Sequence, residues 1–322
     1  MLRAVARSLF CVWALAACTF LRAQDYPAKP IKIIIANAAG GASDVLVRIL
    51  SPRLSESLGQ QIVIENRPGA GANIGAEIAA RSPADGYTVF VASLPHAIAP
   101  GLYKNLSYDL MRDFTPVTLF AEEQFCLVVH PSLPAPDVKG FIAFLKTHPN
   151  AVSYGSTGSG AANHLAMELL QSMAGVKLVH VPYKASGAAL SDAINGRVPV
   201  LFVNLSPASA HVQTGKVRAL AVTALKRSPL MPNVPTLDES GLAGYDVVNW
   251  FGFLVPSGTP DEIVRKLNGA VTKIVDSADY KSRISVLGAE PLSSPPEQMR
   301  TFISAEIVKW GKVVKATGAR VE

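Results

Sequence analysis

Cysteine is nearly missing from this chain. Three occur in 322 residues, and two of them, Cys11 and Cys18, fall in a segment that reads as an export leader. Once that leader is cleaved after Ala23, Cys126 stands alone and no intramolecular disulfide can form. An exported chain without disulfides must rely on its core. Cys126 lies in Phe125-Cys126-Leu127-Val128-Val129, an apolar run that reads as a buried strand, so a packed, inert thiol is expected there and not a nucleophile. Charge is also sparse. Charged residues make up 17% and apolar residues 49% of the sequence, which excludes a disordered chain and favours a core-forming one. The formal excess is +6. Loss of residues 1–23 takes away Arg3, Arg7 and Arg22 and no acid, which leaves an excess of +3. No basic run with interleaved aromatics occurs, so no nucleic-acid partner is expected.

Long apolar runs are lacking beyond the N-terminus. There, Arg3 and Arg7 precede an apolar stretch from about Leu9 to Leu21, and small residues follow at Ala23. That is the layout of a secretory signal, too short and wrongly flanked to span a membrane. Leu15-Ala16-Ala17-Cys18 also resembles the lipobox at which bacterial lipoproteins are cleaved and acylated. Two processing routes are therefore open, cleavage after Ala23 and lipidation at Cys18. Both lead to a periplasmic protein, and elsewhere no run reaches about 18 uninterrupted apolar residues.

Catalytic and cofactor motifs are absent as well. The six histidines, His96, His130, His148, His164, His180 and His211, form no H-E-x-x-H and no Cys/His cluster of metal spacing. There is no G-x-S-x-G and no G-x-G-x-x-G. Neither a metal, a cofactor nor an enzyme activity is expected.

What is present is a repeated α/β pattern. Ile31–Ala36, Ile62–Ile64 and Thr88–Ala92 are short β-branched runs that read as strands. Between them lie helical stripes, one carrying Leu46, Leu50 and Leu54, the other Ile74–Ala80. Pro52 falls inside the first stripe and predicts a kink or an early end. The pattern restarts with strands at Leu127–Val129, Ala151–Tyr154, Leu178–Val181, Val198–Val203 and Ala219–Val222. Helices fall at Val138–Leu145, after Ala162 and at Ala188–Ile194. Beyond Trp250–Val255 the chain turns helical, with stripes at Ile263–Ile274 and Met299–Val314. Strand–helix–strand order of this kind argues for parallel sheets with helical crossovers.

Two glycine-rich loops sit where ligands bind in such folds, outside the carboxyl ends of strands. The first is Ala36–Asp44. The second is Gly155–Ala162 in YGSTGSGAANHLAMELL. Each runs directly into a helix, whose first N–H groups are unpaired and carry partial positive charge, so each is an anion site. The second loop has the first half of a Walker spacing, but Ala161-Ala162 replace the Lys and Ser/Thr that a nucleotide requires. A small carboxylate fits both loops. His96, in Ser93-Leu94-Pro95-His96 after the third strand, is placed to border the cleft, and His164 reads as a capping or packing residue.

The segments YPAKPIKIII, GGASD, IVIENRPGAGANIGAE, SPADGYTV, YGSTGSGAANHLAMEL, HVPYK, RALAVT, NVPTLDESG and PPEQMRTFISAEIVKWGKVVKATGA, in this order, resemble the periplasmic receptors of tripartite tricarboxylate transporters, the Bug receptors. The likeness runs from Tyr26 to Glu322. It implies an α/β, type II periplasmic-binding-protein fold with two α/β domains flanking a ligand cleft. Residues 24–122 and 250–322 would form the first domain and 123–249 the second. The chain would cross between them near Leu119–Phe125 and Tyr245–Val255. The implied role is a monomeric receptor that closes on a small organic carboxylate and delivers it to membrane transporter subunits; a sensor presenting its closed form to a signalling partner is the alternative. The resemblance carries ligand contacts to Asn37, Gly40, Gly41, Ser43 and Asp44 on one side. On the other it points to Gly155, Ser156, Thr157, Gly158, Ser159, Gly160 and Ala161, and Ser93, His96 and Asn204 border the cleft. Asp44 is expected to brace its loop, since a free carboxylate would repel the ligand. Two departures stand out. Ala36-Asn37-Ala38-Ala39 replaces a proline–aromatic–proline–proline stretch, and Phe202-Val203-Asn204 lacks the acid of Phe-Asp-Asn, which argues against a preference for amino acids.

Overall fold

A computed structural model describes residues 26–319; the leader and Cys18 lie outside them. Ten strands build one twisted sheet: β1 (Ile31–Ile35), β2 (Ile62–Asn66), β3 (Thr88–Ser93), β4 (Phe114–Val129), β5 (Ser153–Ser156), β6 (Val179–Pro182), β7 (Val200–Asn204), β8 (Arg218–Val222), β9 (Val248–Pro256) and β10 (Ala289–Pro291). The main order is β2-β1-β3-β9-β4-β7-β5-β6, with β8 and β10 also paired to β4. β1 is parallel to β2 and β3, and β5 is parallel to β6 and β7. Helices cover both faces, so Ile31, Ile33, Ile34 and Ile35 are all buried and β1 is apolar throughout except for Lys32. That is the composition a two-sided parallel strand requires.

Ten helices complete the fold: α1 (Ala42–Leu58), α2 (Asn73–Ala80), α3 (Leu94–Leu102), α4 (Val138–Thr147), α5 (Ala162–Ala174), α6 (Ser186–Ile194), α7 (Leu205–Gln213), α8 (Asp261–Val275), α9 (Ala278–Ser285) and α10 (Pro296–Thr317). Pro52 does not end α1, which continues to Leu58. Pro52 is exposed, so the Arg48 carbonyl left without its N–H partner faces water, and the Ser51 hydroxyl also donates to it at 3.5 Å. A missing bond on the solvent side costs far less than one in the core.

β4 departs most from the sequence reading, which recognised only its last five residues, Phe125–Val129. It runs for sixteen residues and changes partners along its length. Phe114–Gln124 pair antiparallel with β9, and Ala121–Glu123 also pair with β10. From Phe125 onward the partners are β7 and β8. One strand is thus shared by both halves of the sheet, with the exchange at Gln124/Phe125. Trp250–Val255, within the Tyr245–Val255 segment expected to cross between domains, forms most of β9 beside β4. α10 packs on α3 and β4 and also touches α5 of the other half. Trp310 is fully buried on it, with Nε1 donating to Glu306 at 3.0 Å. Cys126 is buried in β4, and desolvation pushes its thiol up to about 12, so it is not nucleophilic at neutral pH.

Gly75 in α2 shows how closely the elements meet beside the first loop. A Cβ there would lie 2.8 Å from the Ala36 Cα and 3.0 Å from the Arg67 carbonyl oxygen. Alanine normally gains about 1 kcal/mol over glycine in a helix, but contact with rigid backbone costs about 1–3 kcal/mol. Gly75→Ala is therefore expected to be destabilising. A midpoint of urea denaturation equal to or above that of the unchanged chain would contradict this packing.

Candidate functional site

The first loop leaves β1 at Ala36 and enters α1 at Ala42. Gly40 has φ +80°, a left-handed conformation that glycine adopts without strain. Its N–H donates to Asp44 Oδ2 at 2.9 Å. Asp44 Oδ1 accepts from Asn66 Nδ2 at 3.0 Å, and Arg48 Nε donates to Oδ2 at 2.9 Å. Burial alone would raise the Asp44 carboxyl, but the Arg48, Gly40 and Asn66 hydrogen bonds outweigh it and hold it below the ordinary range. Asp44 is 2% exposed and braces the loop from behind. Ser43 Oγ donates to Asn37 Oδ1 at 3.2 Å, which ties the two ends of the loop together.

The second loop has the same plan. It leaves β5 after Ser156 and enters α5 at Ala162, with Gly158 at φ +122° and Gly160 at φ +82°. The Gly160 N–H donates to His164 Nδ1 at 3.1 Å. In both loops, then, a glycine amide is taken by a side chain four residues on, in the first turn of the helix. The Thr157 N–H and hydroxyl both go to Asn163 Oδ1, at 3.2 and 3.1 Å. Beneath the loop, Ser156 Oγ lies 2.6 Å from His180 Nε2, and the His180 and His164 rings stack with centroids 4.2 Å apart. Burial, with His180 adjacent, lowers the His164 imidazole to about 4, so it stays neutral and its Nδ1 accepts. The serine–histidine contact has the look of an activated nucleophile. Ser156 is fully buried, however, and its Oγ also accepts the Gly158 N–H at 3.1 Å. The pair supports the loop.

Between the loops lies a cavity of about 620 Å³. Asn37, Gly40, Gly41, Ser43 and Ser93 line it on one side. Thr157, Ser159, Gly160, Ala161 and Asn204 line it on the other. The first intrahelical bonds are Val45 N–H to Gly41 O and Leu165 N–H to Ala161 O, both 3.0 Å. The N–H groups ahead of them, on Ala42, Ser43, Ala162 and Asn163, have no acceptor within their helices, and all four residues line the cavity. No Lys or Arg does. An anion here meets dipoles and hydroxyls, not fixed cations.

Five of the residues singled out from the sequence stand elsewhere. Asp44, Gly155, Ser156 and Gly158 lie behind the loops, and His96 is 1% exposed inside the core. His96 turns inward because Nδ1 accepts the Ser93 N–H at 3.0 Å, closing the N-terminus of α3, while its ring meets Phe90 edge-on. Burial lowers it to about 4.

An acid does line the cleft, but it comes from another strand than the one that lacks it at Val203. Val203 is buried on the opposite face of β7, but β4 supplies Glu123. Glu123 pairs with Asn249 across β4 and β9, and Phe125 pairs with Asn204 across β4 and β7. Alternation along β4 puts Glu123 and Phe125 on one face, so all four side chains floor the cleft. Asn204 Nδ2 donates to Glu123 Oε2 at 2.8 Å. Burial raises the Glu123 carboxyl from 4.5 to about 7, the Asn204 hydrogen bond offsetting part of the effect. The only sequence signal for Glu123 is a pair of acids, Glu122-Glu123, inside an apolar run.

Two helix N-termini facing each other across a cation-free cleft define a binding protein for small anions. The chain belongs to a known family of such proteins: the model for the tripartite tricarboxylate transporter family receptor matches residues 46–319. It is 35% identical over 302 residues to the protein BugT of Bordetella pertussis (strain Tohama I), covering 93% of each chain. Among solved structures it is similar to R. palustris Rpa4515 with adipate, with a TM-score of 0.83 and 37% identity over 92% of this chain and all of that one. It is also similar to MatC (Rpa3494) from Rhodopseudomonas palustris with bound malate, with a TM-score of 0.78 and 33% identity over 90% of this chain and all of that one. The α/β periplasmic-binding-protein fold expected from the resemblance is the fold of the chain.

Glu123 gives the ligand-free protein a specific pH dependence. Its folded-state value lies above its unfolded one, so its contribution to stability is complete below pH 4.5 and is lost as pH rises through about 7. Glu123→Gln removes that loss. Relative to the unchanged chain, the variant is expected to gain on the order of 3 kcal/mol of unfolding free energy between pH 4 and pH 8. Denaturation curves that stay parallel over this range would show that Glu123 does not titrate as its burial requires.

Proposed function

We propose that this protein is a periplasmic solute receptor, not an enzyme, that captures a small organic carboxylate and delivers it to the membrane subunits of a tripartite tricarboxylate-type transporter. The observation that carries this reading is the pair of free helix N-termini, at Ala42–Ser43 and Ala162–Asn163, on opposite walls of one cleft. Each presents N–H groups to an anion at a positive helix end, and bonds of this kind to a carboxylate contribute about 1.5–3 kcal/mol apiece. The adipate and malate held by two relatives support a carboxylate as the ligand class. Micromolar affinity needs about −8 kcal/mol, which a few such bonds supply after the cost of association.

Capture works by closure. Residues 24–122 with 250–322 form one body and 123–249 the other, and they rotate about the crossing segments in β4 and β9. The partner exchange at Gln124/Phe125 and the register shifts in the β4–β9 pairing, at Pro116/Thr118 and Leu119/Ala121, support a bend there. Register shifts in a ladder bend and twist the strands that carry them. Closure brings the two N-termini onto one carboxylate and removes water, which strengthens each bond. The receptor acts as a monomer, exported by the leader that ends at Ala23.

The amides can be deleted without deleting the helices. Ala42 and Ala162 are the first residues of α1 and α5, and the residues before them, Gly41 (φ −73°, ψ 166°) and Ala161 (φ −65°, ψ 156°), are extended. Proline is accepted at this position after such a residue. Ala42→Pro and Ala162→Pro are expected to keep the melting temperature of the ligand-free protein and to weaken carboxylate binding at least tenfold by isothermal titration. Folded variants with unchanged affinity for every acid in a panel of mono-, di- and tricarboxylates would remove the basis of the clamp.

A further inference from the structure

The clamp accounts for the loops but leaves the cleft floor unexplained. Glu123 is 6% exposed, and among the described residues it is the one acid lining the cleft, with neither lysine nor arginine beside it. Its Oε2 accepts from Asn204 Nδ2 at 2.8 Å. Among the described residues, nothing donates to Oε1. Across the strand pair, Asn249 Oδ1 is buried with no hydrogen-bond partner at all. Two acceptors therefore lie side by side on one face of the β4–β9 ladder, each without a donor, with Phe125 and Phe251 beside them. A buried acceptor left unpaired, as Asn249 Oδ1 is, costs about 1–3 kcal/mol, and in native structures such a group is satisfied by something; Glu123 Oε1 faces the cleft beside it.

We propose that Glu123, Asn204 and Asn249 form a subsite for a hydrogen-bond donor, and that the natural solute is an organic acid bearing a hydroxyl or ammonium group at the end remote from its clamped carboxylate. The inference rests on the carboxylate clamp described above and adds the chemistry of the ligand's other end. Three kinds of group can meet this floor. A methyl group leaves both acceptors unpaired and completes their desolvation. A second carboxylate brings like charge against Glu123 with no cation in the cleft to offset it. An ammonium group donates to Glu123 Oε1 and Asn249 Oδ1 at once, and a hydroxyl donates its one proton to either of them. Burial raises the Glu123 carboxyl because no cation stands near it; a donor from the ligand supplies what the protein withholds. Asn204 directs the acid by holding Oε2, which leaves Oε1 for the guest. A site built to bond such a group discriminates strongly against the analogue that lacks it.

The test uses the full mature chain, unfolded and refolded to strip carried-over solute. Isothermal titration is run with straight-chain acids of three to six carbons ending in methyl, hydroxyl, ammonium or carboxylate. At the best chain length, the hydroxyl- or ammonium-ended acid is expected to bind at least tenfold tighter than the methyl-ended one. In Glu123→Gln the ammonium preference falls below threefold, while a hydroxyl preference persists because the glutamine oxygen still accepts; that contrast separates the two donors. Asn249→Ala keeps the acid and is expected to cut either preference by severalfold, which serves as the second variant if Glu123→Gln does not fold. Equal binding of methyl- and donor-ended acids would overturn the subsite and leave the receptor reading standing. So would tightest binding of the dicarboxylate with no response to Glu123→Gln. If no acid of any series binds, the clamp itself fails and the subsite with it.

Discussion

β4 is sixteen residues long, and its backbone must find hydrogen-bond partners along that length, yet no single set of neighbours flanks it throughout. That constraint organises the molecule. β9 and β10 pair with its first part and β7 and β8 with its last, so the exchange point near Gln124 is where the two halves of the sheet meet. The cleft opens above that point because both sets of parallel strands end there, and the loops after β1 and β5 reach over it. The same alternation that packs Cys126 and Val128 into the core of the far half turns Glu123 and Phe125 to the opposite face, toward the cleft. Fold and cleft floor are thus two readings of one strand.

The two loops solve one problem twice. A helix N-terminus attracts anions, but a glycine-rich loop before it is conformationally free, and freezing it costs entropy at each glycine. Here the freezing is done by the protein. Asp44 and His164 take the amides of Gly40 and Gly160, and Asn66, Arg48 and His180 hold those braces in turn. The loops are set before a ligand arrives, and less binding energy is lost to ordering them.

Much of this was legible in the sequence. Ile31–Ala36 and Thr88–Ala92 read as strands because β-branched runs end at turn residues, and the glycine loops pointed to an anion because a helix pattern followed each. The family likeness supplied the rest of the architecture. β4 was not legible beyond its last residues: Thr115-Pro116 and Glu122-Glu123-Gln124 break the apolar pattern, and only neighbours on both sides make the segment a strand. His96 sits one turn past a strand end, where sequence does not say whether a ring faces the cleft or the core; packing against Phe90 decides it. Gly155, Ser156 and Gly158 were placed in the clamp by the family likeness, but a loop that is braced also needs residues that do not line the cavity. Glu123 escaped because its partner Asn204 is 81 positions away, and the missing acid at Val203 drew attention to the wrong strand.

The absence of any lysine or arginine from the cleft wall has a bearing on which guests can be carried. Dipoles neutralise none of a guest's charge. Whatever the solute brings in, it keeps, and the enclosed complex is more negative than the empty protein by that full amount. The self-energy of an enclosed ion grows with the square of its charge, so a second negative charge on the guest is much harder to house than the first. The receptor therefore sorts solutes by valence before it sorts them by shape, and a guest whose remaining groups are neutral or positive passes that filter most easily.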